Sequence, residues 1–222
     1  MPDHISLKKY SNKGNVNVIT AIPDDAVYIL DLGCGSGDNA RILKEKGKIV
    51  DGVTLSEAEA VEARNHCRNV FIYNLEEGLP SEIKDKYDAV VCSHVLEHIA
   101  YPQKLLRDIH SCFNDKNSKL IIVLPNIMGY RYRFKLMMGK FEYENSGVMD
   151  YTHVRWYTFK SAQKLLEDNG YKIEKAWADV GVPFYRLLKY SPANVQMLIK
   201  SSLSILSKGL FGGELLFIAK AD

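Results

Sequence analysis

The sequence lacks paired cysteines, a strong net charge and any long hydrophobic run, and each absence excludes a class of protein. Its four cysteines show no C-x-x-C spacing, which favours free thiols in a reducing compartment over zinc sites or disulfides. The formal charge is only +2, so we expect neither nucleic acid nor a membrane surface as a partner. No apolar stretch reaches membrane-spanning length and no signal peptide is visible, so we expect a cytoplasmic protein.

What is present is the composition of an ordinary globular protein. The 222 residues are 46% hydrophobic and 25% charged, which is enough to build a substantial core. No stretch within the chain has the composition of a linker between domains. We therefore expect one domain over residues 1–222.

The most informative stretch combines a strand, a glycine-rich turn and a helix. Residues 27–32 form the short apolar run typical of a buried strand, and Gly33, Gly35 and Gly37 follow it. Residues 39–46 are compatible with a helix. Because glycine has no Cβ, the backbone at such a turn can approach a ligand closely. The order of these elements predicts a nucleotide-binding corner.

The glycine spacing narrows the identity of that nucleotide. A dinucleotide fingerprint requires G-x-G-x-x-G, whereas Asp38 occupies the place of the third glycine here. The pattern is instead D-x-G-x-G-x-G within the string LDLGCGSG, which resembles the class I S-adenosylmethionine (SAM)-dependent methyltransferases. The resemblance implies that this loop holds the methionine and ribose portions of SAM. It places in the cofactor site Asp31, Gly33, Cys34, Gly35 and Gly37.

The second strand, residues 49–55, ends where the resembling family usually carries an acidic residue for the ribose hydroxyls. Thr54 occupies that position here, next to Leu55 in the predicted cofactor site. A subgroup with a similar V-T-L-S string implies a ribose contact by a polar residue that aligns with Glu59. The same residue also completes a capping box with Ser56, so either role fits Glu59.

The third and fourth strands carry the remaining cofactor residues. Asn74 aligns with the family's adenine-binding aspartate, and the N–H of Leu75 would face the neighbouring ring nitrogen; the alternative is an ordinary loop asparagine. The fourth strand ends in S-H-V-L-E-H, which resembles the family's motif after that strand. Ser93 and His94 would therefore lie at the methionine end of SAM. His94 lies four residues before the second histidine, but the run does not form H-E-x-x-H, so we predict no metal site.

The alternation of strands and helices predicts the whole fold. Five β/α units precede residue 125, a sixth strand spans 171–180 and a final strand spans 213–220, which predicts an α/β fold. The resemblance implies the Rossmann-like class I methyltransferase fold, with a seven-stranded mostly parallel sheet, helices on both faces and a lid insertion after strand five. In that fold the final strand returns antiparallel beside strand five. A helix at 192–208 fits either a homodimer interface or closure of the pocket.

The predicted lid, residues 126–158, differs from the rest of the chain because it is basic and aromatic. One interpretation is a substrate lid in which aromatic rings stack on the acceptor and arginines pair with its anionic groups. Single-stranded nucleic acid and an ordinary amphipathic helix are the alternatives. We place in the predicted acceptor site Asn126, Tyr130, Arg131, Arg155 and Trp156.

The lid ends in the string DYTHVRWYT, which starts at Asp150. It resembles the D-x-T-H-x-R-x-[FY]-[ST] signature of the type 11 and type 23 methyltransferases, a branch with many enzymes of glycan and natural-product biosynthesis. His153 can act as the general base for a hydroxyl acceptor, because its ordinary pKa lies near neutrality. Alternatively, His153 and Arg155 tie the insertion to the strand-five loop through Asp150.

These patterns together predict a SAM-dependent methyltransferase with a small-molecule acceptor. The resemblance favours in-line transfer to a hydroxyl of a sugar or natural product, in which the protein chiefly aligns the reactants. An N-methyltransferase is one alternative. A non-catalytic SAM-binding partner protein is another, because Thr54 and Asn74 depart from the family pattern.

Overall fold

The computed structural model describes residues 13–180 and 208–222, together with the isolated positions 192, 195 and 202. The predicted helix at 192–208 therefore lies almost wholly outside the described residues. Within the described part, no helix has both the length and the apolar character required to cross a membrane.

The described elements alternate between strands and helices as the sequence predicts. They are α1 Val16–Ala21, β1 Tyr28–Leu32, α2 Asp38–Glu45, β2 Ile49–Thr54, α3 Glu57–Ala63, β3 Asn69–Ile72, β4 Ala89–Ser93, α4 Gln103–His110, β5 Lys119–Pro125, α5 Tyr130–Met137, α6 Phe159–Glu167, β6 Tyr171–Val180, α7 Lys208–Phe211 and β7 Gly212–Ala221. Two short 3₁₀ turns, Leu75–Glu77 and Leu96–His98, follow β3 and β4.

The strands form one seven-stranded sheet in the order β3-β2-β1-β4-β5-β7-β6. The first five strands are parallel, and β7 runs antiparallel between β5 and β6. This confirms the predicted Rossmann-like class I methyltransferase fold. The strand order reverses between β1 and β4, and ligands of open α/β sheets bind beyond the carboxyl ends of the strands at such a switch point.

The central strands are mostly apolar, as is typical of strands with helices on both faces of their sheet. Side chains alternate along a strand, so Leu30 and Val90 join one core cluster while Ile29 and Val91 join the other. All four of these side chains are fully buried. The carboxyl ends of β1 and β4 are thus rigidly positioned.

Side-chain caps begin the helices α3 and α6, and the first of these caps is the predicted one. Ser56 accepts from the backbone N–H of Glu59 at the start of α3. Thr158 caps α6 and forms a reciprocal capping box with Ser161. These hydrogen bonds satisfy backbone donors that have no partner within the helix.

One buried carboxylate fixes the start of β2 to its neighbours. Asp51 is 1% exposed and accepts from Arg68 Nε at 3.0 Å, from the Tyr87 hydroxyl at 2.8 Å and from the backbone N–H of Asn69 at 3.1 Å. Burial and the hydrogen bond to Asp51 raise the pKa of Tyr87 well above its usual range. The phenol therefore stays protonated and remains a donor to the carboxylate.

Candidate active site

The glycine corner after β1 has the backbone geometry that only glycine adopts readily. Gly33, Gly35 and Gly37 have φ angles of 74°, 53° and 82°. A Cβ at Gly33 would lie 2.5 Å from Cγ2 of Val95, so this position also lacks space for a side chain. The N–H groups of Gly33 and Cys34 both donate to the Val53 carbonyl, at 2.8 and 2.9 Å, and this attaches the turn to β2.

A buried hydroxyl in the same turn has no hydrogen-bond partner among the described residues. Ser36 is 7% exposed, and its Oγ is completely buried. A buried polar atom without a partner costs free energy unless a ligand or water satisfies it. Ser36 was not among the predicted cofactor residues, and its place between Gly35 and Gly37 was the one signal that pointed to it.

A second buried polar group, the carboxyl of Asp31, lies at the carboxyl end of β1. It is 1% exposed. Burial raises its pKa to about 7, and the amide of Asn39, at 3.5 Å, partly opposes that shift. Asn39 in turn accepts from the backbone N–H of Asn15, just before α1. The carboxyl therefore changes charge near neutral pH, beside a turn suited to a charged ligand.

The structure brings together the two residues predicted for the ribose. The hydroxyl of Thr54, at the end of β2, donates to Glu59 Oε2 at 2.8 Å, and both side chains are buried. The backbone N–H of Ser56 donates to Thr54 Oγ1 at 3.3 Å. Thr54 thus holds the Glu59 carboxylate at the carboxyl end of β2, while the adjoining Leu55 is 45% exposed.

The predicted adenine residues lie beside the 3₁₀ turn after β3. The Oδ1 atom of Asn74 accepts from the backbone N–H of Glu76 at 3.1 Å and so caps this turn. This contact favours the alternative of a loop asparagine, although a carbonyl oxygen has two lone pairs and can accept twice. Leu75 is half-buried and begins the turn. The adenine contact stays a prediction.

His94, directly after Ser93 at the end of β4, has an unusual backbone conformation. Its φ is 56°, in the left-handed region, where a residue other than glycine is strained and where functional sites are enriched. The ring is held on both sides: Nδ1 lies 3.2 Å from Glu97 Oε1 and Nε2 lies 3.2 Å from Glu214 Oε1. Burial lowers the pKa of His94, but these two carboxylates outweigh it and raise the pKa to about 10. His94 is therefore a cation at neutral pH and not a general base.

The string DYTHVRWYT attaches the lid to the turn after β4. The backbone N–H groups of Val154 and Arg155 donate to the Glu97 carbonyl at 2.9 and 3.0 Å, and Arg155 Nε donates to the Ala100 carbonyl at 2.6 Å. Asp150 accepts from the N–H and hydroxyl of Thr152. The predicted attachment of His153 and Arg155 to the strand-five loop through Asp150 is therefore corrected: they attach to the turn after β4.

His153 lies inside this attachment. It is 8% exposed, its Nδ1 lies 3.0 Å from the Val148 carbonyl, and its Nε2 lies 4.0 Å from Glu97 Oε1. Its ring meets the edge of His98 with 4.7 Å between ring centroids. These contacts favour an anchoring role for His153 at the turn after β4, and the role of general base stays a prediction.

The predicted acceptor residues of the lid make contacts with different parts of the structure. Asn126 is 1% exposed and its amide donates to the carbonyls of Gly209 and Gly212 at 2.9 and 2.8 Å, so it joins β5 to α7 and β7 instead of meeting an acceptor. This corrects its predicted role. The half-buried Trp156 packs against two lid aromatics, and Arg131 Nε donates to the Tyr130 hydroxyl at 3.1 Å. The acceptor contacts of Tyr130, Arg131, Arg155 and Trp156 stay predictions.

The comparison with protein families shows which family the chain belongs to. A model of the methyltransferase domain, type 23, matches residues 7–176. The chain belongs to this methyltransferase family. The predicted branch of the class I SAM-dependent methyltransferases is thereby confirmed, and SAM is the cofactor of the family.

Individual proteins resemble this methyltransferase to different extents. It is 27% identical over 122 residues to the ubiquinone biosynthesis O-methyltransferase of Coxiella burnetii, a match that covers 50% of this chain and 52% of that protein. The chain thus spans about half the length of the curated relatives it matches.

Among solved structures, a SAM-dependent methyltransferase from Archaeoglobus fulgidus superposes with a TM-score of 0.64 at 23% identity, and covers 89% of this chain and 87% of its own. The magnesium protoporphyrin IX methyltransferase of Synechocystis, with S-adenosylhomocysteine bound, superposes with a TM-score of 0.59 at 16% identity. This superposition covers 92% of the present chain and 80% of that protein. At these identities the likeness concerns the fold.

Proposed function

We propose that this methyltransferase transfers the methyl group of SAM to a hydroxyl of a small-molecule acceptor, a sugar or other natural product. The observation that carries the proposal is the glycine corner, where Gly33, Gly35 and Gly37 have left-handed backbones. They adjoin the buried Asp31 carboxyl and the Ser36 hydroxyl, which has no partner in the described part of the chain. These groups suit a ligand with a charged amino acid end. The residues present therefore fit SAM.

Each part of the proposed cofactor site has its own element. Asp31 and Ser36 bind the methionine end, and the Glu59 carboxylate, held by Thr54, accepts from the ribose hydroxyls. Ser93, together with the cation His94, closes the site beyond β4. SAM supplies an activated methyl group, so the protein mainly aligns the acceptor oxygen and excludes water.

Transfer to oxygen is favoured by the name of the curated relatives, which are O-methyltransferases. The match covers about half of each chain, so the acceptor has to be identified by experiment. The experiment is calorimetric titration with SAM and S-adenosylhomocysteine, followed by incubation of methyl-labelled SAM with panels of sugars, phenols and amines.

The proposal expects micromolar cofactor binding and label on an oxygen acceptor. Label on amines alone would favour the N-methyltransferase. SAM binding without methyl transfer to any acceptor would favour the non-catalytic SAM-binding partner protein. No SAM binding by the folded protein would contradict the proposal.

Asp31 makes SAM affinity depend on pH. Because the pKa of this carboxyl is about 7, the ionised form that attracts the SAM ammonium is lost as pH falls below neutrality. We expect affinity about tenfold weaker at pH 6 than at pH 8 through this group. Calorimetry across this range on wild type and on Asp31→Asn checks it, because the variant retains the titration of SAM itself. Parallel pH profiles for the two proteins would contradict the prediction.

In the SAM-free protein the same group has the opposite effect. Its folded-state pKa of about 7 exceeds the unfolded value of about 3.9, so its contribution to the free energy of unfolding falls as pH rises from about 4 to 7. Urea denaturation of wild type and of Asp31→Asn should show this decline in the wild type only.

Glu59→Gln separates the two roles predicted for this residue. Hydrogen bonds to a charged acceptor contribute about 1.5–3 kcal/mol, so we expect roughly a 10- to 100-fold loss of SAM affinity if the carboxylate binds the ribose. The decisive control is a SAM analogue without the ribose 2′-hydroxyl, which should lose affinity for the wild type but little more for Glu59→Gln. A variant that is less stable but binds SAM normally would show that Glu59 only supports α3.

A further inference from the structure

Three potential metal ligands converge where the lid meets the turn after β4. Glu97 and His98 belong to the 3₁₀ turn, and His153 comes from the lid about 55 residues later, yet their ligand atoms all lie within 4.8 Å of one another. Glu97 and His153 are buried, and His98 is half-buried. The sequence predicted no such site, because the spacing of His94 and His98 does not reveal a ligand from another segment.

Both histidine rings are held in the tautomer that a metal requires. Nδ1 of His98 lies 3.3 Å from the Thr152 carbonyl, and Nδ1 of His153 lies 3.0 Å from the Val148 carbonyl. A carbonyl only accepts, so Nδ1 carries the proton in each ring and Nε2 of the neutral ring presents a lone pair. Metal-ligating histidines are commonly oriented by this contact of the second ring nitrogen with a carbonyl.

The carboxylate of the trio has an oxygen available for a ligand. Glu97 is 0% exposed, and its Oε1 lies 3.2 Å from His94 Nδ1 and 4.0 Å from His153 Nε2. Its Oε2 is buried and has no hydrogen-bond partner within the described residues. Leaving a buried carboxylate oxygen without a partner is costly, and a cation would remove that cost.

We propose that Glu97, His98 and His153 form a binding site for a divalent transition-metal ion of the zinc type. Two imidazoles and one carboxylate are a ligand set of zinc and its neighbours, whereas magnesium and calcium prefer oxygen alone. Bonds of about 2.0–2.2 Å separate tetrahedral ligand atoms by roughly 3.3–3.6 Å, so closure requires side-chain movements of about 1 Å. A water would complete the coordination.

The site would also give the lid a second attachment. Without metal, the lid string contacts the turn after β4 through backbone and arginine hydrogen bonds to the carbonyls of Glu97 and Ala100. A metal would add a bond from His153 to the two ligands of that turn. The inference concerns binding, which is measured without methyl transfer, so its failure would leave the proposed function intact.

The experiment titrates untagged, chelator-treated and dialysed protein with Co²⁺ and with Zn²⁺ by calorimetry, with Mg²⁺ as the negative probe. The expected result is one Co²⁺ per chain with visible absorption bands that Zn²⁺ abolishes by competition. Absence of Co²⁺ and Zn²⁺ binding by the folded wild type would overturn the proposal.

Two pairs of variants locate the ion. Glu97→Gln and His153→Gln preserve much of the side-chain volume and should lower affinity by more than about 100-fold, since loss of even an outer-shell partner costs 10–100-fold. His110→Gln removes a histidine that pairs with the Asn169 carbonyl elsewhere, and Cys67→Ser removes a half-buried free thiol. Both controls should bind normally. Binding that survives Glu97→Gln or that disappears in Cys67→Ser would assign the ion to another place.

A measurement on the wild type covers the case in which a variant fails to fold. Long-range ¹H–¹⁵N spectra of the histidine rings should show that Zn²⁺ shifts the Nε2 signals of His98 and His153. Those of His66 and His110 should not move. Shifts confined to the latter two rings would overturn the proposal.

Discussion

Gly35→Val is expected to abolish measurable SAM binding, a loss of affinity of at least about 100-fold. Gly35 has a φ of 53°, which a β-branched side chain adopts only at a cost of about 1–3 kcal/mol. Under the proposed function, a side chain at this position would also occupy space that the backbone needs for its close approach to SAM. Strain and lost space therefore act together on binding. Calorimetric titration with SAM and S-adenosylhomocysteine measures the effect.

The chain offers a matched control for the strain alone. Gly47, after α2, has a φ of 77°, and a Cβ there would meet nothing within 4 Å. Gly47→Val should therefore lose stability by a similar amount and still bind SAM. Equal loss of binding in both variants would show that Gly35→Val acts through general destabilisation and not through the pocket.

Arg68→Met is expected to lower the free energy of unfolding by about 2–3 kcal/mol. Breaking a buried ion pair costs about 3–5 kcal/mol because a charge is left behind, and here the 37% exposure of the Arg68 side chain lets water compensate in part. Asp51 would keep only its neutral donors, Tyr87 and Asn69. For a chain of 222 residues this corresponds to a decrease of roughly 5–10 °C in Tm.

Thermal and urea denaturation measure this loss, and an exposed ion pair on the surface provides the control. Arg41 and Glu45 form an exposed i,i+4 pair at 3.6 Å, so Arg41→Met should change stability by no more than about 0.5 kcal/mol. Similar effects of Arg68→Met and Arg41→Met would show that the buried carboxylate does not need its arginine.

The sequence predicts best what depends on neighbouring residues. The glycine corner, the Ser56 cap and the order of strands and helices follow from local spacing, and the structure confirms each of them. The antiparallel position of the last strand was also predicted, because the family resemblance fixes the topology. Local chemistry and the topology of the resembling family thus explain most of the fold.

Parts of the site depend instead on contacts between distant segments. His94 has its raised pKa because Glu214 approaches from a strand 120 residues away. The Asn126 amide donates to carbonyls more than 80 residues further along the chain. The residues next to Asn126 in the sequence do not reveal these partners. The convergence of His153 with His98 depends on how the lid folds back, and no spacing within either segment encodes it.

The position of β7 has a consequence for synthesis on the ribosome. β7 follows β6 in the chain, yet it lies between β5 and β6 in the sheet and pairs with both. While translation proceeds, the five parallel strands can assemble early, but β5 presents an open edge and β6 has no strand beside it until residues 212–221 emerge. A pause in translation before the codons for residues 212–221 would therefore leave this sheet edge open to aggregation.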